Sequence, residues 1–157
     1  MNTVVSEQLN LLHETQALRN QMMDLLTDAD LAYRLPGDNV SLGELCREMG
    51  EVEQSYIDSF KTFKQDFAYR HPDPSIAASV NRLREWFAAL DVELDAALSA
   101  FSDADFESSM VDRGWKLPVR VQYHIYREAL LIHAGKASIY LKALGKSLPE
   151  QWRHWIG

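Results

Sequence analysis

A single cysteine, Cys46, is all the thiol chemistry in the chain. No intrachain disulfide can form, so the fold must rest on a packed core, and a reducing, cytoplasmic setting is expected. Clustered basic residues are missing too. The net charge is −7 and the 16 Lys and Arg are scattered, which argues against nucleic acid and against an anionic membrane surface as partners. Long apolar runs are absent. The longest, such as Trp86 to Leu90, fall far short of a bilayer span. The opening residues, Met1 to Glu7, place no basic residue ahead of an apolar run, so no secretory leader is expected. Sustained strand alternation is lacking as well.

What remains is helical periodicity. The 157 residues are 46% apolar and 25% charged, enough for one domain over 1–157 with one sizeable core. Four segments show the pattern, near 5–26, 42–64, 74–101 and 117–144. The third is clearest. Ile76, Val80, Leu83, Phe87, Leu90, Leu94, Ala97 and Phe101 recur at alternating steps of four and three, the seam of a bundle helix. Asp73 before Pro74 supplies its N-cap and first-turn proline. The second helix opens on the capping box Ser41-Leu42-Gly43-Glu44 and carries the stripe Leu42, Leu45, Met49, Val52, Tyr56, Phe60 and Phe63. Leu11, Leu18, Met22 and Leu25 mark the inner face of the first. The fourth follows Pro118 and stops at Gly145, a C′ glycine.

The expected fold is an all-α four-helix bundle. Its first and third connections run to about fifteen residues and its second to about ten, which suggests an up-up-down-down order with two long crossovers and with the first two helices parallel. The two long connections begin alike, as Leu26-Thr27-Asp28-Ala29-Asp30-Leu31 and Phe101-Ser102-Asp103-Ala104-Asp105-Phe106, as two related helix pairs would.

Most short motifs fail on inspection. Gly145-Lys146-Ser147 lacks the first glycine of a P-loop, the residue there being Tyr140, and it closes a helix. His13-Glu14-Thr15-Gln16-Ala17 lacks the second histidine of a zincin. No Glu is followed three residues later by His, so the di-iron bundle pattern is missing. Nothing local to Cys46 lowers its pKa, and a small apolar cysteine on a helix reads as packing.

One constellation stands out. His133 shares the inward face of the fourth helix with Tyr126, Ala129, Leu130, Ala137 and Tyr140. Glu48, three after Leu45 and four before Val52, borders the inner stripe of the second. A carboxylate there needs a partner or keeps its proton. The plain structural reading is a Glu48 at a wet bundle end and a satisfied core histidine. The functional reading is a Glu48–His133 pair.

Ser41-Leu42-Gly43-Glu44-Leu45-Cys46-Arg47-Glu48-Met49 resembles the start of the second helix in the DinB superfamily, where a serine cap is followed seven residues later by a metal-binding histidine. His133-Ala134-Gly135-Lys136, closing on Leu144-Gly145 with Pro149 and Trp152 beyond, resembles that superfamily's fourth helix and its His-x-x-x-His-Arg-Gly-Gln pattern. The resemblance implies a bundle holding one divalent metal (zinc or nickel) on three histidines, often in a homodimer. Several relatives look like transferases or isomerases that use a low-molecular-weight thiol. A metal with an open position would favour the thiolate. This sequence departs at the decisive positions. Glu48 replaces the helix-two histidine, Ala129 replaces the first of the helix-four pair, and only His133 matches.

Three readings follow. The first is a member that has lost most of its metal site, with no cofactor, binding a small molecule or a partner in a bacterial stress setting. The second is a metal- and thiol-dependent enzyme with an altered site built on Glu48 and His133, completed by His124 or Glu44. The third is a dimer or scaffold, for which the tail Trp152-Arg153-His154-Trp155-Ile156 is suggestive. A tail folded back over the bundle end fits the same residues. Tyr126, Tyr140 and Trp115 are the candidate pocket residues. The residues alone leave open whether the chain is an enzyme.

Overall fold

The computed structural model describes residues 3–157. Four long helices carry the fold: α1 (Thr3–Leu25), α3 (Leu42–Thr62), α4 (Val80–Ser99) and α6 (Val119–Ala143). Three short ones lie between and after them: α2 (Asp28–Leu31), α5 (Asp103–Ser108) and α7 (Glu150–Trp155). A 3-10 turn, Pro74–Ala78, precedes α4, and a small antiparallel ribbon of β1 (Met110–Asp112) and β2 (Lys116–Pro118) precedes α6. No helix is long and apolar enough to cross a membrane.

The expected seam of the third helix holds at every position, from Ile76 to Phe101, all buried. Its start does not. Asp73 caps only the 3-10 turn, accepting from Ser75 N–H. Ser79 then adopts an extended conformation and caps α4 by accepting from Arg82 N–H. Asp28 of α2 accepts from Val80 N–H at 2.8 Å, so a distant carboxylate also satisfies one of the helix's free amides. On the second helix the stripe holds from Leu42 to Phe60, but Phe63 is the left-handed C-cap and faces solvent. On the first, Leu18 and Met22 are buried and Leu11 is exposed. The inner positions nearby are Leu12, Thr15, Gln16 and Arg19. Gly145 ends α6 at φ 70°.

The order of helix directions is up-down-down-up, not up-up-down-down. Contacts between α1 and α4 pair His13 with Asp95, Arg19 with Asp91 and Asp24 with Arg84, so these helices are antiparallel. Gly43 of α3 lies against Ala77 of the 3-10 turn that leads into α4, and between α3 and α4 Gly50 lies against Trp86 and Lys61 against Glu93, so these helices are parallel. Between α3 and α6, Ser59 meets Gln122, Glu48 meets His133 and Val40 meets Tyr140, which is again antiparallel. Helices one and two therefore run opposite ways. The connection lengths mislead for a physical reason. The second connection is extended, and about ten residues at ~3.3 Å each reach as far as a 21-residue helix at ~1.5 Å each. It returns along the bundle, with Gln65 N–H on Asp112 O, His71 N–H on Glu51 and the His71 ring against Trp86. The two longer connections fold up locally. Their similar openings become the same device, a short helix capped by Thr27 with Asp30 and by Ser102 with Asp105.

The ribbon was not expected. Three-residue strands are too short to show alternation, and only Val111 and Leu117, paired across it, are buried. The tail folds back. Trp152 is fully buried and its indole N–H donates to Leu18 O at 3.0 Å.

Parallel packing of α3 on α4 depends on two glycines one heptad apart. A Cβ at Gly43 would stand 1.9 Å from Ala77 O, and one at Gly50 would stand 2.4 Å from the Trp86 ring. Gly43→Ala must displace backbone and is expected to cost about 1–3 kcal/mol or more. Urea unfolding of the variant checks this, and unchanged stability would mean the helices can separate freely at that end.

Candidate functional site

His133 sits on the inward face of α6. Its Nδ1 is 2.8 Å from Ala129 O one turn earlier, a contact that needs the proton on Nδ1. In the neutral ring Nε2 is then an acceptor, and no hydrogen bond reaches it. Glu48 Oε1 on α3 lies 3.5 Å away, and Lys136 Nζ lies 3.9 Å from the same oxygen. The sequence-derived pair is thus brought together across α3 and α6. The His133 side chain is 10% exposed and that of Glu48 is 46% exposed, so solvent screens this pair and it adds little to stability.

The proposed supplements stay away from it. Glu44 is committed to its capping box with Ser41 and to Arg34 at 3.0 Å. His124 lies about two and a half turns before His133 and its ring packs on Tyr123. Burial and the neighbouring Arg120 and Arg127 depress its pKa. The pocket residues scatter as well. Tyr140 is buried and donates to Val40 O at 2.7 Å. Tyr126 is buried deeper in the bundle. Trp115 is 65% exposed on the ribbon before α6, at the far end of that helix from Tyr140. Among the described residues, no group of three or more His, Cys, Asp or Glu could hold a metal ion.

Beside Glu48 a groove of about 420 Å³ opens along α3. Arg47 and Arg70 stand on it with Glu44, Glu48 and Glu51, and Phe67 from the return segment gives it an apolar wall. Glu51 is nearly buried, pairs with Arg47 at 3.3 Å and accepts from His71 N–H.

A second polar centre lies deeper, and the sequence reading missed it. Arg19 of α1 is 4% exposed and donates to Glu53 of α3 and, at 2.6 Å, to Asp91 of α4. Its guanidinium lies 4.1 Å from the centre of the Phe87 ring. Tyr126 of α6 faces Glu53 closely enough to favour its carboxylate, though neither the phenol oxygen nor Glu53 Oε1 has a hydrogen bond of good geometry. Burial pushes the Glu53 carboxyl up, and Arg19 opposes it. Burial also raises the Tyr126 phenol, with the Glu53 charge adding to the effect. The signal was present. Arg19 falls three before Met22 and four after Thr15, and Glu53 falls four after Met49 and four before Ile57, so both are charges on inner stripes. Between Arg19 and His133 lies a cavity of about 20 Å³, room for about one water.

The family model described as the DinB superfamily matches residues 11–132, a span that takes in α1 from Leu11 on, all of α3 and α4, and α6 as far as Ile132. The chain belongs to the DinB superfamily. A DinB-like protein from Bacillus cereus ATCC 10987 has a crystal structure similar to this one, with a TM-score of 0.78 and 16% identity over 92% of this chain and 95% of that chain. At that identity the likeness concerns the fold. No curated protein matches the chain.

As a DinB-superfamily chain it can be tested against a three-histidine metal site. The residues present do not fit one. Of the three positions that the resemblance implies, one is Glu48, one is Ala129 with only a methyl group, and one is His133. The Lys136 ammonium lies 3.9 Å from Glu48 Oε1 and repels a cation there. Cys46 adds nothing. It is fully buried and its thiol is pushed up to about 12 by that burial, so the thiolate that metals and electrophiles need is not formed at neutral pH. The native chain is expected to be inert to a disulfide reagent such as dithionitrobenzoate and to react at one thiol per chain on unfolding. Rapid reaction in the absence of denaturant would show that the α3 core opens.

Arg19→Ala leaves two carboxylates facing each other in the core and is expected to cost about 3–5 kcal/mol. The loss should deepen with pH. Without Arg19 the Glu53 carboxyl rises further, so the folded state binds a proton that the unfolded state releases. Stability then falls as pH rises from the ordinary carboxylate range through the folded value. Denaturant titrations at several pH values check this, and a pH-independent loss would show that Glu53 is not the group left stranded.

Proposed function

We propose that this chain works without the metal of its superfamily and binds a small polar molecule in the groove beside Glu48. The observation that carries the reading is Ala129. It stands one turn before His133, where a third donor would have to be, and leaves Glu48 and His133 as two groups that converge without enclosing a site. Two protein ligands, one of them half in solvent, hold a divalent ion weakly. The groove supplies what a binding protein needs instead. Arg47 and Arg70 offer positive charge, Glu44 and Glu48 offer negative charge, and Phe67 and Val52 offer apolar contact. A small molecule carrying both charges matches that lining. The stress setting is carried by the superfamily resemblance alone.

The 3.5 Å separation of Glu48 and His133 favours a second reading, a metal- and thiol-dependent S-transferase or isomerase whose altered site uses that pair. A carboxylate and an imidazole at that distance can also exchange a proton with a bound substrate.

One experiment separates the two. Ala129→His restores an i, i+4 histidine pair with Glu48 as third ligand, a set known for zinc. Calorimetry with zinc and nickel on untagged protein is expected to show no stoichiometric binding in the parent. The variant should gain such binding, with a metal-dependent rise in melting temperature. A parent that already binds one metal tightly overturns the first reading in favour of the enzyme. A folded variant with no added affinity shows that positions 48, 129 and 133 do not converge.

A further inference from the structure

At the C-terminal ends of α3 and α4 a second cleft, of about 570 Å³, opens to solvent. Its nearest wall on α3 is Phe60, twelve residues beyond Glu48 and so ~18 Å further along the helix. It is therefore separate from the groove that holds Glu48, and its volume suits a small molecule. The sequence accounts for the space. The α4 seam is filled by Phe87, Leu90 and Leu94 in its middle. It runs out in Ala96, Ala97 and Ala100, which leave room beside the rings of Phe60, Phe63 and Phe101.

Phe63 is held at this cleft against its backbone preference. Among the described residues it is the one non-glycine residue with a positive φ, 58°. The left-handed region crowds a side chain against its own backbone, and glycine is the residue that usually relieves this at the end of a helix. Phenylalanine here leaves the inner stripe with its ring 41% exposed and edge-on to Phe101, the two centres 6.0 Å apart. Strain of this kind gathers at binding sites. The rim of the cleft is charged. Lys61 and Glu93 neutralise each other at 2.5 Å. Asp105 of α5 has no cationic partner among the described residues, and its Oδ2 accepts from Ser102 O–H at 2.6 Å. Three aromatic rings thus stand with one uncompensated carboxylate, in a chain of net charge −7. Aromatic rings and a carboxylate both attract a cation.

We propose that this cleft binds a small organic cation, an ammonium on a flat apolar body, with the body beside Phe63 and the alanines and the nitrogen toward Asp105. Phenethylamine, protonated at neutral pH, is the probe. Calorimetry on the full chain is expected to show one site for it. Phenylethanol, its neutral analogue, should bind about three- to fivefold more weakly, and phenylpropionate, its anionic analogue, more weakly still. Phe63→Gly releases the left-handed strain, so it should keep the circular dichroism of the parent while losing saturable binding. Ala96→Trp fills the cleft from an exposed position on α4 and should do the same. Asp105→Asn should lower the affinity for phenethylamine to that for phenylethanol and leave the latter unchanged. Glu48→Gln, in the other groove, should leave phenethylamine binding as it was. A parent that shows no saturable binding overturns the proposal, and so does one that takes phenylpropionate as tightly as phenethylamine. Binding that survives both Phe63→Gly and Ala96→Trp in folded protein, or that is lost in Glu48→Gln, overturns it too, for the amine would then sit elsewhere.

Discussion

A buried guanidinium ties this bundle together. Arg19 rises from α1 into the space between the other three long helices and meets Glu53 of α3, Asp91 of α4 and the Phe87 ring, with Tyr126 of α6 beyond Glu53. Each long helix contributes, and α4 does so twice, through Asp91 and Phe87. A charge this deep is tolerated only while its partners are in place, so the cluster discriminates among packings more than it adds stability. Sliding any one helix by a turn would strand a carboxylate or the arginine in an apolar core. That constraint fixes the register in which Glu48 and His133 face each other one to two turns further along the α3–α6 contact.

The corner that holds His133 and Glu48 opens onto the groove along α3. His133 keeps its position, but its Nδ1 is spent on Ala129 O and its Nε2 meets a carboxylate that is half in solvent. Glu48 turns toward both the histidine and the open groove with Arg47 and Arg70. The pair stands as a polar threshold between the groove and the small cavity beside Arg19. The fold is shared with the B. cereus protein at 16% identity, as expected where a core tolerates substitution that keeps its apolar volume.

Much of the fold was legible in the residues. Every member of the Ile76–Phe101 seam is buried, the Ser41 capping box opens α3, and Gly145 closes α6 in the left-handed region. These features are local, set by side-chain spacing and backbone preference. The break at Ser79 was not legible, because a 3-10 turn leading into a helix keeps the seam's spacing. Of the site, the meeting of Glu48 and His133 followed from two inner stripes. Arg19 and Glu53 went unread although they lie on the same kind of stripe, because attention to apolar periodicity passes over charges that sit within it.

Helix direction was beyond the sequence. The apolar stripe of an amphipathic helix reads the same in an up or a down orientation, and connection length bears on direction only if the connection's own conformation is known. The ten-residue segment after Phe63 is extended and crosses the bundle, while the longer ones coil at its ends. The amino-acid sequence by itself determined four helices, their inner faces and the superfamily to which they belong, because those depend on contacts a few residues apart. Tertiary structure alone decided which helices run together, which charges meet in the core and what stands beside His133, because each of those depends on a partner supplied by a distant part of the chain.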